Sequence, residues 1–189
     1  MGEKAAFLLE KIALAHKNLL WQIAKEENLT PTQIEIIFLV ATSKPEKALT
    51  TIIAKGLGLT KPTVSESIKS LKRKGVLTTM PLGDKRKLAI LLTPKGKKIY
   101  QKLTRVSQVT KNFFKTVNKN DRFIVLRVLL DFLRYLKKKK LIHLLRICQF
   151  CDNLKYDKEK NKFYCSITSQ EITIDSFHLN CPEFREAGR

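Results

Sequence analysis

The stretch that most constrains the fold is residues 50–95, where two short helical patterns are followed by two strand patterns with only brief turns between them. Gly58 marks the turn between the helices, and Gly75 stands where the second helix should end, as a C-terminal glycine commonly does. Two segments rich in apolar and β-branched residues come next and are expected to be strands joined at Gly83 and Asp84: Val76–Leu82 and Lys87–Leu92. This order indicates a winged helix-turn-helix.

The first helix of the pair is expected to begin after Thr50 or Thr51, either of which can cap a helix. Ile52, Ile53 and Leu57 then recur at helical spacing, which predicts that they are buried.

The second helix, predicted over residues 61–74, has two distinct faces. Val64, Ile68 and Leu71 recur at helical spacing and should pack on the preceding helix. The candidates for DNA contact are polar or basic residues: Lys61, Pro62, Thr63, Ser65, Glu66 and Lys69, with Lys72 and Arg73 at the far end. Small polar side chains can approach base edges, whereas terminal basic side chains suit phosphates. The alternative is a solvent-facing amphipathic helix with no such task.

The hairpin decides between these interpretations. Its tip carries Asp84, Lys85, Arg86 and Lys87. A basic tip beside such a helix is placed to enter the minor groove or to follow the DNA backbone. These four residues therefore join the predicted DNA-binding set.

Three long amphipathic segments, residues 3–29, 94–117 and 120–146, exceed what a small winged helix needs for its own core. Their apolar stripes must be buried, and a dimer interface would bury them, although a monomer with the helices packed on one another is the alternative. A further helix should begin after Thr30, with Pro31 at its first position. The expected fold is mainly α with a small β-wing, long dimerisation helices and a small cysteine-bound tail.

The charge is unevenly distributed. The chain has 37 Lys and Arg residues against 17 Asp and Glu residues, a net charge of +20. Residues 148–189 hold six basic and seven acidic residues, so the first 147 residues carry +21. A basic body of this kind favours a polyanionic partner, here double-stranded DNA.

Other classes of protein fit the sequence poorly. No run of 18 apolar residues predicts a membrane span, and the N-terminus lacks the pattern of a secretory signal, so we expect a cytoplasmic protein without a membrane partner. We find no Ser/His/Asp set, glycine-rich phosphate loop or carboxylate cluster near the cysteines. We therefore do not expect an enzyme.

All four cysteines lie in the last part of the chain: Cys148, Cys151, Cys165 and Cys181. In a reducing compartment, clustered cysteines more often bind metal than form disulfides. A segment as short as this tail, about 40 residues, also needs a bound metal or a cross-link to fold by itself. The sequence therefore predicts two domains: a DNA-binding and dimerisation domain over residues 1–146 and a four-cysteine metal-binding tail over residues 147–189.

The identity of the metal stays open at this stage. Four thiolates suit Zn²⁺, and a [4Fe-4S] cluster is the alternative. The spacing is similar to that of high-potential iron–sulfur proteins, but the tail lacks their glycines and dense aromatic shell. Free or disulfide-forming thiols are a third interpretation. His143 and His178 lie near the cysteines and are interpreted as surface residues rather than ligands, although either could replace one.

The segment from Leu29-Thr30-Pro31 to Leu92-Thr93-Pro94-Lys95-Gly96 resembles the MarR family of transcription regulators. The resemblance covers roughly residues 1–146 and is most specific at the Asp84-Lys85-Arg86 motif. It implies that Arg86 enters the minor groove, that Asp84 orients the wing, and that the protein is a dimer on a palindromic operator. It also implies a small-molecule effector, although no effector residue can be assigned.

The expected function is a sequence-specific transcription regulator with a tail that is stabilised by metal or senses metal or redox state. Two alternatives remain: a non-specific architectural DNA-binding protein, and an iron–sulfur redox sensor whose cluster controls DNA binding.

Overall fold

The computed structural model describes the backbone of residues 1–142, 145–173 and 176–187, and the side chains of residues 84–86 lie outside what it describes. His143 is therefore outside the described residues. The helices are α1 (Gly2–Glu26), α2 (Pro31–Ala41), α3 (Thr50–Leu57), α4 (Lys61–Arg73), α5 (Pro94–Thr116) and α6 (Lys119–Lys138). Short 3-10 turns cover Pro45–Lys47 and Cys148–Phe150. The strands are β1 (Leu77–Leu82), β2 (Asp84–Leu92), β3 (Leu154–Asp157) and β4 (Lys162–Cys165).

Threonine caps begin three of the helices. The Thr30 hydroxyl accepts a hydrogen bond from the Gln33 amide, and the Gln33 side chain accepts one from the Thr30 amide, which completes a capping box at α2. Thr60 caps α4 and Thr93 caps α5 in the same way, through their hydroxyl groups. The prediction of a threonine cap at α3 is wrong, since Leu49 precedes that helix without a side-chain cap.

The core of the molecule lies around α2, α3, α4 and the first half of α5. Ile36, Ile37, Val64 and Leu71 have no more than trace exposure and belong to one apolar cluster that extends from Ala24 to Leu103. Ile52 lies outside this cluster with 42% of its surface exposed, so the prediction that it is buried is wrong.

The first turn of α5 is pressed against the wing. A Cβ atom added at Gly96 would lie 2.2 Å from the Val76 carbonyl oxygen, a backbone atom that cannot move aside cheaply. The Thr93 hydroxyl also donates to the carbonyl oxygens of Gly75 (2.6 Å) and Val76 (3.1 Å). These contacts explain why the segment Thr93–Gly96 needs its capping threonine and its glycine.

The end of α6 differs from expectation. Asn118, rather than Asn120 or Asp121, caps the helix, and the helix ends at Lys138 rather than near Leu145. Lys140 follows in the left-handed region with φ of 59°. The helix has no buried residue, and large apolar side chains along it are exposed, among them Phe123, Val128 and Phe132.

The other long helices share this exposure. In α1 Phe7, Leu8 and Ile12 are 56–64% exposed, and in α5 Val109 and Phe113 are 61% and 62% exposed. The lone chain thus leaves most of the predicted apolar stripes open. None of the described helices is both long and apolar enough to cross a membrane.

The tail contains a different hairpin from the predicted one. We expected strands over Lys162–Thr168 and Glu171–Asp175, but β4 pairs with β3, which precedes it. The Asp157 carboxylate accepts from the amides of Glu159 and Lys160 at 3.0 and 3.1 Å and so closes the turn. The predicted pairing is present only around Tyr164 and Glu171, which form an isolated β-bridge flanked by hydrogen bonds from the Ile172 amide to the Phe163 carbonyl and from the Cys165 amide to the Gln170 carbonyl. Asp175 lies outside the described residues.

Candidate nucleic-acid interface

The helices α3 and α4 meet through a turn of three residues, 58–60. Gly58 adopts φ of 65°, which is the left-handed conformation that glycine tolerates best. The Leu59 amide then donates to the Ala54 carbonyl at 3.0 Å, and Thr60 begins α4. This is the predicted helix-turn-helix, with α4 as its second helix.

The inner face of α4 is fixed by apolar packing. Val64 and Leu71 are fully buried and Ile68 is 6% exposed. The predicted division of α4 into an apolar face and a polar face is confirmed.

Polar contacts that sequence reasoning missed also fix α4. Gln33 is 4% exposed, and its amide donates to the Ser70 hydroxyl at 3.1 Å while its oxygen accepts from Lys74 Nζ at 3.1 Å. Lys74 also donates to the Asn28 carbonyl. Nothing local in the sequence around Gln33 indicates these long-range partners.

The outer face of α4 carries the residues predicted to meet bases. Lys61, Pro62, Thr63, Glu66 and Lys69 are exposed, while Ser65 is half-buried. The Thr63 and Thr60 hydroxyl groups lie 2.8 Å apart and share a hydrogen bond. The face is therefore open to a partner along most of its length.

Glu66 and Lys69 form an ion pair on this face, with Nζ and Oε1 2.7 Å apart. The hydrogen bond from Lys69 lowers the pKa of the Glu66 carboxyl from its ordinary value. The pair reduces the positive charge that Lys69 offers to a phosphate.

At the far end of α4, Lys72 and Arg73 are exposed as predicted for phosphate contacts. Lys72 Nζ donates to the Thr79 hydroxyl at 3.1 Å and so connects α4 to β1. Lys72 is therefore already bonded to the wing, a contact that the sequence did not indicate.

The wing is the antiparallel hairpin of β1 and β2. Its ladder runs from Leu77 opposite Leu92 to Pro81 opposite Leu88, and then shifts so that Leu82 lies opposite Asp84. Residues 85–87 stand between those two pairs and extend the tip on the β2 side. Lys87 is exposed; the side chains of Asp84, Lys85 and Arg86 lie outside the described residues. The backbone thus provides the predicted tip.

The four cysteines of the tail line one cavity of about 190 Å³, together with His178 and Asn153. Backbone amides point at two of the sulfurs: His178 N–H donates to Cys148 Sγ at 3.2 Å, and Arg185 N–H donates to Cys151 Sγ at 3.5 Å. Burial raises the pKa of the Cys148 thiol. Such N–H···S bonds stabilise the thiolate form, which is the form that binds metal.

The cavity is not a finished coordination site. Among the described residues, no three or more His, Cys, Asp or Glu side chains form a group that could hold a metal ion as they stand. A zinc tetrathiolate needs each sulfur about 2.3 Å from the metal. The donor set fits a thiophilic metal, but the sulfurs would have to close in on it.

The fold and the helix-turn-helix geometry define the class of this molecule: a winged helix. Residues 29–96 match the family described as winged helix DNA-binding domain. The match begins at the end of α1 and closes at Gly96 in the first turn of α5, so it includes the helix-turn-helix and the wing. The comparison with curated proteins gave no match.

Solved structures share the fold over a longer part of the chain. A mutant of MepR from S. aureus is 22% identical, with a TM-score of 0.58, and the match covers 70% of this chain and 96% of that one. The S. aureus MepR–DNA complex is 23% identical, with a TM-score of 0.51 and coverage of 65% and 98%. A transcriptional regulator from Thermotoga maritima is 21% identical, with a TM-score of 0.51 and coverage of 72% and 96%.

Proposed function

We propose that the protein is a transcription regulator of the MarR type that binds double-stranded DNA at specific sequences. The observation that carries this proposal is the open polar face of α4 beside a wing whose tip is extended by residues 85–87. A helix in the major groove reads base edges, and a basic wing beside it can reach the minor groove. The MepR–DNA complex supports the partner, since its chain has the same fold.

We assign the contacts by their position on this surface. Thr63, Ser65 and Glu66 near the front of α4 would approach bases, and Lys61 and Arg73 would meet phosphates. Arg86 would enter the minor groove, because its backbone lies in the extended tip.

A homodimer is part of the proposal. Three helical faces are exposed in the single chain: those of α1, of the second half of α5, and of α6. Each face carries apolar residues along its length, so it would normally be covered. Exposed apolar patches of this extent mark protein interfaces. A second copy is the occupant that suits DNA reading, because a two-fold dimer meets two half-sites of a palindrome about one helical turn apart.

A metal centre in the tail is a further part. The four cysteines share one cavity and two of them accept backbone N–H···S bonds, which supports a tetrathiolate site for Zn²⁺, with a [4Fe-4S] cluster as the alternative. Metal and sulfide assays with a visible spectrum, on protein purified without oxygen, separate the two. Protein free of metal and sulfide would contradict both.

A small-molecule effector would fit the open cleft of about 1310 Å³ between α2, α3, the end of α6 and the tail. Its lining combines apolar Leu39, Ile52 and Phe150 with basic Lys55 and Arg134. An anionic, partly apolar molecule is the ligand class that this lining would take. Calorimetric titration with benzoate-type carboxylates would test it, and an absence of heat at millimolar ligand would contradict it.

The central test is the ratio of specific to non-specific affinity at one salt concentration, after operator selection from random duplexes. A regulator should prefer its selected site by at least about 10³-fold, whereas an architectural protein should bind all duplexes nearly alike.

The wing assignment has its own test. We expect Arg86→Ala to weaken binding to the selected site by about 1–3 kcal/mol while the dimer stays intact. Arg105→Ala removes the same charge from the exposed side of α5 and is the matched control. Equal losses in the two variants would contradict a specific role for Arg86.

A further inference from the structure

The loop between α2 and α3, residues 42–49, is held by the tail from one side. Lys47 Nζ donates to the carbonyl oxygens of Pro182 (3.0 Å) and Phe184 (3.1 Å), and Lys44 forms an ion pair with Glu183. Phe184 is only 8% exposed. The segment 182–184 therefore acts as a clamp on this loop.

A second connection runs through Arg146. This side chain is 8% exposed, and its Nη1 donates to the Thr42 carbonyl and to the Ser43 hydroxyl, both at 3.0 Å. The Arg146 carbonyl in turn accepts from the amide of Cys181 at 3.1 Å. Cys181, a predicted metal ligand, is thus adjacent to the clamp in sequence. Its backbone is also hydrogen-bonded to Arg146, whose side chain holds the loop.

A third connection joins the clamp to another predicted ligand. The Asn153 side-chain amide donates to the Glu183 carbonyl at 3.2 Å and to Cys151 Sγ at 3.6 Å. The position of the clamp therefore depends on how the cysteines are arranged.

The other side of the same loop is bonded to the wing. The Ala48 carbonyl accepts from the Ile90 amide of β2 at 2.8 Å, and Ala48 is 1% exposed. Leu49 then leads directly into α3, since its carbonyl accepts from the Ile53 amide at 2.9 Å. The loop belongs to the winged helix lobe, defined by the apolar cluster as residues 24–103. Within this lobe the loop contacts the wing and leads into α3, and it also contacts the tail.

We propose that metal bound by Cys148, Cys151, Cys165 and Cys181 controls DNA affinity through this loop. Gathering the four thiolates fixes the segment 181–184, the clamp fixes loop 42–49, and the loop sets the position of the wing relative to α4. Loss of metal releases the clamp and weakens DNA binding. The inference rests on the proposed DNA-binding function and on the proposed metal centre, and it adds the route between them.

The experiment compares metal-loaded and metal-free full-length protein by peptide-level hydrogen exchange and by DNA binding. Metal is removed by chelation and, independently, by Cys165→Ser, because Cys165 is the last residue of β4 and is not part of the segment 181–184. We expect exchange of loop 42–49 and of the Ile90 segment to become at least about fivefold faster, and affinity for the selected site to fall by at least about fivefold.

The clamp itself is tested by Lys47→Met, which removes the two hydrogen bonds to the tail and leaves all four cysteines. This variant should keep its metal, exchange faster at the loop, and bind DNA with an affinity that depends less on metal, because the Lys44–Glu183 ion pair and the Arg146 contacts remain. Lys158→Met removes the same charge from an exposed position in the tail hairpin and should behave as the unmodified protein does.

Each outcome decides the inference. Unchanged loop exchange and DNA affinity after measured metal loss would overturn the route, as would a chain that binds no metal in any form. If the protein bound no specific DNA, the proposed function would fail. Hydrogen exchange would still show whether metal binding in the tail changes the opening of loop 42–49. If the metal dependence of DNA affinity were undiminished in Lys47→Met, the clamp would be overturned as its path.

Discussion

The winged helix lobe and the cysteine tail differ in what holds them together. The apolar cluster of the lobe draws its members from Ala24 to Leu103, and Ile36, Ile37, Val64 and Leu71 have essentially no exposed surface. In the described part of the tail, only Ile147, Cys148 and Phe184 fall in the buried range, at 4–9% exposure. The lobe is stabilised by apolar burial, whereas the tail is held by backbone hydrogen bonds and by contacts with the lobe, and its four thiols line one cavity.

This difference suggests that the lobe and the tail have different roles in DNA binding. A lobe with its own core can present α4 and the wing in a fixed geometry. A tail without a comparable core is easily loosened, because few buried contacts oppose its opening. We therefore assign the proposed metal-dependent switch to the tail and the fixed scaffold to the lobe.

The largest effect should come from the core of the lobe. Leu71→Ala removes a fully buried side chain from the centre of the cluster and should lower the free energy of unfolding by about 2–5 kcal/mol. Leu59→Ala, at a position 39% exposed in the turn before α4, is the matched control and should cost far less. Urea denaturation followed by circular dichroism measures both, and similar costs would mean that the cluster does not support the lobe.

Loss of one metal-binding cysteine should loosen the tail and leave the stability of the lobe nearly unchanged. Cys151→Ser removes a thiolate that accepts two N–H···S bonds and should release the metal, with fast hydrogen exchange over residues 147–187. The unfolding midpoint of the lobe should shift by no more than about 2 °C, because its core lies elsewhere. Full metal content in this variant would contradict the four-thiolate site.

The exposed helices offer a third contrast, since α6 has apolar residues but none buried. Val128→Asp places a charge at a position 56% exposed in the single chain and should raise the dimer dissociation constant at least about tenfold, as expected for a charge buried without a partner. Sedimentation equilibrium measures it. Asn120→Asp, at an exposed polar position of the same helix, is the control, and an unchanged dimer in Val128→Asp would place the interface elsewhere.

The smallest effect concerns the ion pair on α4. Glu66→Gln frees Lys69 for a phosphate and should steepen the plot of log affinity against log salt by up to about 0.9. Glu10→Gln, on an exposed position of α1, makes the same charge change away from the interface. Equal slopes in the two variants would show that Lys69 does not reach DNA.

The same pair predicts a pH dependence. Because Lys69 lowers the pKa of Glu66 below its ordinary value of 4.5, the pair is intact above that value. It is lost only as the pH falls through the lowered pKa. Affinity differences between the unmodified protein and Glu66→Gln should therefore be constant from pH 6 to pH 8, and a change within that range would assign the titration to another group.

Much of the lobe could be predicted from sequence because local rules and tertiary packing agree there. Thr30, Thr60 and Thr93 cap helices as their residue type favours, and Val64, Ile68 and Leu71 are buried as their spacing predicts. The prediction failed at α3, where a helix of eight residues is too short for periodicity to show which face is buried, and Ile52 points outward.

The tail was harder for a physical reason. Short strands of four residues give little pattern, so the pairing of β3 with β4 was missed; Asp157 and Asn161, which lie in the turn between them, are residue types that favour turns. The four cysteines could be predicted to lie together because a thiol is identified by a single residue, whereas a strand is identified only by a pattern of several residues. Long-range polar contacts such as those of Gln33, Lys47 and Arg146 have no local signature and required the structure.

The measurement that tests the account most directly is selection of binding sites from a random duplex pool by the metal-loaded full-length protein, repeated after metal removal. We expect enrichment of one inverted repeat with half-sites about one helical turn apart, and weaker retention of the same sequence without metal. Binding that depends only on duplex length and salt, with no enriched sequence in either state, would contradict it.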